Sequence, residues 1–366
     1  MTDSSSFRFA LAGATGTMLL FLACATVHSQ EPSQTLNISP TDYDTYAASQ
    51  AQDMNHHARP ANTPAARAEH SAELSTLRSE SPESTESEAS QGGSRKGTRF
   101  PGDLQFHGGP VLESTVQHLI FVNLAKSTTC HTIATCWGDP RTFLRDLGHS
   151  NFIHVVDQYV GSEEEGRYTV SQVPVSVTYP TGPHPLTNLD ILTIVHAVAA
   201  VLGTGYGNLY HVFLLPGQDE CFTSSFTVCY SPDNPSTFAF CAFHGSVTFS
   251  DIGHVLFSLQ PFQNVRGCSE KPGTPNGQLI DSTNSVLSHE TFEIITDPDL
   301  NAWFNSLNLA LRGEEIGDEC SFITFTPTGV FFDPSNVTLD GRKYAAQPEY
   351  NNARHACTIR ASAPDD

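Results

Sequence analysis

Basic residues are scarce in this 366-residue chain: 18 Lys and Arg stand against 39 Asp and Glu, a formal net charge of −21. That balance argues against nucleic-acid binding, because little is available to neutralise phosphates. The acidity serves solubility and cation binding instead. Long apolar runs are as scarce. The one candidate, residues 9–26, is diluted by Gly13, Gly16 and several Thr. It falls short of the roughly 20 apolar residues that span a bilayer, so no membrane span is expected in the mature form. No CxxC pair is present, which argues against a thiolate zinc site or thioredoxin chemistry. No GxSxG nucleophile elbow is present either, so Ser288 beside His289 carries no special geometry. Gly203, Gly205 and Gly207 follow a helical run and precede a strand, the reverse of a phosphate-binding loop, and read as a turn. No internal repeat is visible.

What is there begins with a leader. A polar start, the short apolar run and the small residues of Ala23-Cys24-Ala25 and Val27-His28-Ser29 read as a signal peptide over 1–29. The protein is therefore expected to be secreted or extracytoplasmic. Residues 30–98 are rich in Ser, Glu, Ala, Thr, Gln and Pro and read as a disordered linker, because too few large apolar side chains are present to offset ordering entropy. His56-His57, inside this tract, reads as solvated. Residues 99–366 are long enough for one sizeable core and read as a single globular domain. Without Cys24, eight cysteines remain, and an even count in an exported chain favours disulfides. A local Cys130–Cys136 loop is expected; the other pairings stay open.

The apolar pattern alternates between extended and helical. The segment 116–123 (VQHLIFVN) reads as a buried strand, and Asp139-Pro140 as the cap and first residue of a helix. An extended stretch follows over 168–179, then an apolar helix over 189–202 and strands at 210–215, 237–244 and 254–259. A late helix starts near Asp281 or Ser282 and ends at Thr296-Asp297-Pro298. The expected class is α+β, an α/β-like sheet with flanking helices, stabilised by disulfides.

That late helix holds the chemistry. His289 and Glu293 are four apart and share a helical face, with Glu290 beside them. A second acidic cluster, Glu314-Glu315-Ile316-Gly317-Asp318, follows and is closed by Cys320. In the HExxH pattern two histidines bind zinc and the glutamate polarises water; here Glu293 replaces the second histidine, and a carboxylate is a legitimate zinc ligand. The plain alternative is that Glu290 and Glu293 are solvated and His289 packs. His211 and His244 fall in strands and read as core histidines, although His244 lies at a strand end from which a side chain could reach a site.

These residues also carry a resemblance. The run Ser288, His289, Glu290, Glu293, Thr296-Asp297-Pro298, Trp303, Glu315-Ile316, Asp318 and Cys320 resembles the core of the phosphate-induced protein/EXORDIUM family and its bacterial secreted relatives. His107-Gly108-Gly109-Pro110, Cys241-Ala242-Phe243-His244-Gly245 and the stretch 344–357 are similar to further family segments. The glycine-rich run of the plant proteins is absent. The resemblance implies an extracellular protein and a helix-plus-acid-cluster unit. By analogy with zincin helices it makes His289, Glu293 and Glu315 metal ligands, Glu290 the general base and Asp318 a partner orienting His289.

Two readings follow. One is a secreted, zincin-like zinc metallopeptidase that uses a metal-activated water, with a peptide or a cell-surface polymer as its partner. The other is a non-enzymatic extracellular protein in which the same residues hold a structural ion, zinc or calcium, or form a hydrogen-bond cluster.

Overall fold

The computed structural model describes residues 34–38, 40–80, 100–182, 184–321 and 335–361. Thirteen elements position the site. They are β1 (Gln34–Asn37), α1 (Pro40–Gln50), β2 (Ala51–Pro60), α2 (Pro64–Glu80), β3 (Thr115–Val122), α3 (Pro140–Gly148), β4 (Tyr168–Val170), β5 (Val175–Thr178), α4 (Asn188–Leu202), β6 (Asn208–Phe213), β7 (Phe240–Phe249), β8 (Gly253–Gln260) and α5 (Gln278–Thr296).

The eight strands form one mixed sheet in the order β1-β5-β3-β6-β8-β7-β2, with β4 also paired to β3. Pairing is parallel from β1 through β8; β7 then pairs antiparallel with β8 and with β2. Side chains of β3 alternate between the two faces as the two-residue period of a strand requires. Leu119 and Phe121 join the cluster that contains Phe213 and Phe292 of α5, while Ile120 and Val122 join the one that contains Val212 and Ile194 of α4. The sheet is therefore covered on both faces, which explains the near-continuous apolar run in β3. Helices with a mixed sheet make this an α+β protein, as expected.

Local chemistry sets the helix ends. Thr142 N donates to Asp139 Oδ1 at 3.0 Å, capping α3 behind Pro140. Thr187 N donates to Asp190 Oδ2 at 2.7 Å in the capping box of α4. The start of α5 differs from expectation. It begins at Gln278, and Asp281 sits buried in its first turn, accepting from Asn276 N at 2.8 Å and from Ala345 N at 3.2 Å. Its end is where proline placed it: Asp297 Oδ1 accepts from Asn301 N at 2.6 Å and Ala302 N at 2.7 Å.

The largest correction concerns the expected disordered linker over 30–98. Residues 34–80 form two strands and two helices: β1 extends the sheet beside β5, and β2 forms a ladder along β7. Backbone hydrogen bonds rather than apolar burial hold this polar strand, and a sheet edge accepts such a sequence. The leader expected over 1–29 and the rest of the linker, 30–33, 39 and 81–98, lie outside the described residues.

Four disulfides join Cys130 to Cys136, Cys221 to Cys229, Cys241 to Cys268 and Cys320 to Cys357. The local Cys130–Cys136 loop is the expected one. Among the described residues no helix is long and apolar enough to cross a membrane.

Candidate metal centre

α5 packs against β7 and β8, so its His289–Glu293 face looks toward the sheet edge built by β7 and β2. His244 lies on β7 and pairs in register with His57 of β2. Gly245 makes this possible: a Cβ there would meet the Asn55 carbonyl oxygen at 2.1 Å, so only glycine lets β2 approach so closely. The acidic loop closes the cluster from the remaining side. It is fastened by the Cys320–Cys357 bond and by Gln347, whose Nε2 donates to Gly317 O at 2.6 Å.

Seven donor side chains converge. His289 Nε2 lies 3.0 Å from Glu293 Oε1 and 3.7 Å from Asp318 Oδ1. His244 Nδ1 lies 3.4 Å from both Glu290 Oε2 and Glu293 Oε2, and its Nε2 lies 3.8 Å from Glu315 Oε2. His57 Nε2 lies 2.6 Å from Asp318 Oδ2, and its Nδ1 3.8 Å from Glu315 Oε1. All five expected site residues are therefore brought together on one side of α5. Asp318 stands next to His289, as its expected partner, while Glu315, expected beside His289 and Glu293, faces His244 and His57 instead. Two donors, His57 and His244, join the cluster although the sequence argued for them weakly or not at all. His57 was read as solvated and is instead paired with Asp318.

The spacing is informative. Contacts of 3.4 to 3.8 Å around His244 exceed a hydrogen bond, and neither ring nitrogen has a hydrogen-bond partner. Donors bound to zinc at ~2.0–2.2 Å in a tetrahedron lie about 3.4 Å apart. Both oxygens of Glu290 and Oε2 of Glu293 are likewise buried without a hydrogen-bond partner, and His289 Nε2 has only Glu293 Oε1, at 3.0 Å. Such atoms are costly to bury unless a cation or a proton satisfies them. Three overlapping donor triads fall within 4.8 Å: His57–Glu293–Asp318, His244–Glu293–Glu315 and His289–Glu290–Glu293.

Electrostatics point the same way. Burial drives Glu290 and Glu315 above the ordinary carboxylate range. Burial would raise Glu293 too, but the His289 and His244 rings on either side hold it below that range. Burial would lower His57 and His244; instead Asp318 and Glu315 push His57 well above its ordinary value, and Glu315, Glu290 and Glu293 do the same for His244. The buried guanidinium of Arg59 donates from Nη2 to Gln347 Oε1 at 3.2 Å; burial lowers its pKa, opposed by the charges of Glu270, Glu290, Glu293 and Glu349. Without an added cation, the cluster must carry protons to remain folded.

The donor set contains imidazole and carboxylate but no sulfur. This suits zinc and similar transition ions; calcium takes oxygen ligands and would leave three imidazoles idle. A cavity of about 490 Å³ lies against the cluster's outer corner. His57, Asp318 and Glu314 form part of its polar side, and Phe222, Val228 and Phe240 its apolar side.

No family model, curated protein or solved structure matches this chain, so the reading of the site rests on its own geometry.

Proposed function

We propose that this chain is a secreted, zincin-like metalloprotein whose centre is a zinc-dependent hydrolase site acting on peptide bonds. The carrying observation is the set of buried, unpartnered imidazole and carboxylate atoms at coordination-edge spacing, with one corner open to a cavity. His289, Glu293 and Asp318 would hold the ion. Bound there, zinc supplies Lewis-acid polarisation and lowers the pKa of water. Glu290 takes a proton: burial raises its carboxyl above the ordinary range, and the His244 ring lies beside it, Nδ1 at 3.4 Å from Oε2. His57 braces Asp318 from the cavity side. The cavity's mixed walls suit an extended chain, whose backbone needs polar partners and whose side chains need apolar ones.

Four disulfides support an oxidising compartment, and hence secretion. The resemblance to the phosphate-induced protein/EXORDIUM family belongs to the same proposal. Its separate segments meet in space: His107 N donates to Ala302 O at 2.6 Å and Gly109 N to Asn301 O at 2.9 Å, just past the Thr296-Asp297-Pro298 turn.

One observation favours a second reading. Every donor except His57 is buried, so the same ion could serve as a structural clip joining β2, β7, α5 and the acidic loop. Zinc-loaded and chelator-stripped protein, assayed on a fluorogenic peptide library and by thermal unfolding, separates the two. Hydrolysis that Glu290→Gln lowers ~10²-fold or more, with the zinc at His289 kept, supports the hydrolase. Bound zinc that raises the melting temperature with no hydrolysis supports the clip. Protein that binds no zinc sinks both.

A further inference from the structure

Seven donor residues are more than one four-coordinate ion uses. Among the three donor triads, Glu293 is the one residue common to all. Its two oxygens face different imidazoles: Oε1 lies 3.0 Å from His289 Nε2, and Oε2 lies 3.4 Å from His244 Nδ1. A carboxylate disposed in this way is a bridge.

We propose that the cluster binds a pair of divalent cations bridged by Glu293, one held with His289 and Asp318, the other with His244 and Glu315. The proposal rests on the reading of this cluster as a metal site and adds a second ion to it. Both half-sites are populated by atoms that need a partner. Both His244 nitrogens, Glu315 Oε2 and Glu293 Oε2 are buried without hydrogen bonds on one side, and on the other His289 Nε2 and Glu293 Oε1 have only each other.

Glu290, Glu293, Glu315 and Asp318 are at most 1% exposed. Carboxylates this deeply buried need cations or protons beside them, and two bridged ions would reach more of them than one. Glu290 keeps its role as proton acceptor, since neither half-site requires it. His57 acts as a positioning residue that holds the second oxygen of Asp318. Two ions sharing a carboxylate would sit ~3.5–4 Å apart, one activating water and the other polarising the scissile carbonyl oxygen.

The test uses the full chain, stripped with chelator, dialysed against zinc and analysed for zinc per protein. A parallel sample is loaded with Mn²⁺ and examined by electron paramagnetic resonance. Two equivalents are expected in the wild type, falling to one in His244→Ala and to one in His289→Ala. The wild-type manganese spectrum should show exchange coupling that either variant abolishes. One equivalent with an uncoupled spectrum overturns the pair and leaves the single-ion reading standing; zero equivalents overturns both. Two equivalents that survive His244→Ala, His289→Ala and Glu293→Gln put the ions elsewhere and also overturn the proposal. Should His244→Ala not fold, His244→Gln serves, and the wild-type spectrum decides without any variant.

Discussion

His57 Nε2 lies 2.6 Å from Asp318 Oδ2, although 261 residues separate them in sequence. This contact joins the N-terminal strand β2 to the acidic loop at the mouth of the cavity. His57→Ala removes it from a side chain about a quarter exposed. The expected cost is about 1–3 kcal/mol, for an acceptor left short of a partner. Zinc retention should weaken ~10–100-fold, as when a ligand loses the group orienting it. Thermal unfolding and chelator competition read both. Unchanged values would show that β2 only covers the cluster.

Gly317 is set by space rather than by backbone angle. A Cβ there would lie 2.4 Å from His289 Nδ1 and 2.8 Å from Glu293 Oε1. Gly317→Ala must push the acidic loop away from α5 or turn the His289 ring. A loss of about 1–3 kcal/mol is expected from overpacking, together with loss of zinc. Gly313→Ala is the contrast. Its Cβ meets nothing within 4 Å, but its φ of +90° strains any side chain, so it should cost stability and spare zinc. Equal zinc loss in both variants would contradict this account of Gly317.

The Cys320–Cys357 bond closes a 37-residue separation and fastens the acidic loop to the C-terminal strand region. A bond across a loop of that size contributes about 3–4 kcal/mol on the chain-entropy account. The Cys320→Ser/Cys357→Ser double variant should lose that much by urea denaturation and lose zinc as well. Removing Cys221–Cys229, which closes 8 residues, should cost less and keep zinc. Zinc loss in the second variant but not in the first would reverse the assignment.

Stability should fall on both sides of neutrality. Burial pushes His211 down from 6.5 to about 3, with His118 adding repulsion, and pushes His56 down to about 4. A folded pKa below the unfolded one gives stability that is present above pH 6.5 and lost as pH falls through those values. Glu319 moves the other way: burial pushes it up to about 9 despite the hydrogen bond from Asn305. Its contribution is complete below its ordinary 4.5 and is lost as pH rises through about 9. Urea midpoints measured from pH 3 to 9 should trace both limbs, and His211→Gln should flatten the acid one. An acid limb unaltered by that substitution would remove His211 from the account.

Much of the fold was legible. β3, β6 and β8 declare themselves by dense apolar residues, α3 and α4 by caps and a glycine stop, and α5 by its proline end. His289 and Glu293 were legible as a pair because i, i+4 spacing fixes a helix face; Glu315 and Asp318 joined them only through the acidic cluster and the family resemblance. The pairing of β2 with β7 was not legible. AQDMNHHARP has no apolar alternation, and what orders it is a backbone ladder to a strand about 190 residues away. His57 was hidden for the same reason. His244 and Gly245 held the available signal: a glycine inside an otherwise bulky strand marks close approach of another backbone. Where Glu315 would face was not legible, because a loop's register, unlike a helix's, does not follow from spacing.

The central claim is that an ion sits among these imidazoles and carboxylates. Zinc K-edge X-ray absorption on zinc-loaded, extensively dialysed full chain tests it most directly. The account predicts a first shell of nitrogen and oxygen only, at ~2.0–2.2 Å, with outer-shell scattering from imidazole that weakens in His289→Ala. A sulfur shell at ~2.3 Å, or protein that retains no zinc while fully folded, would contradict it.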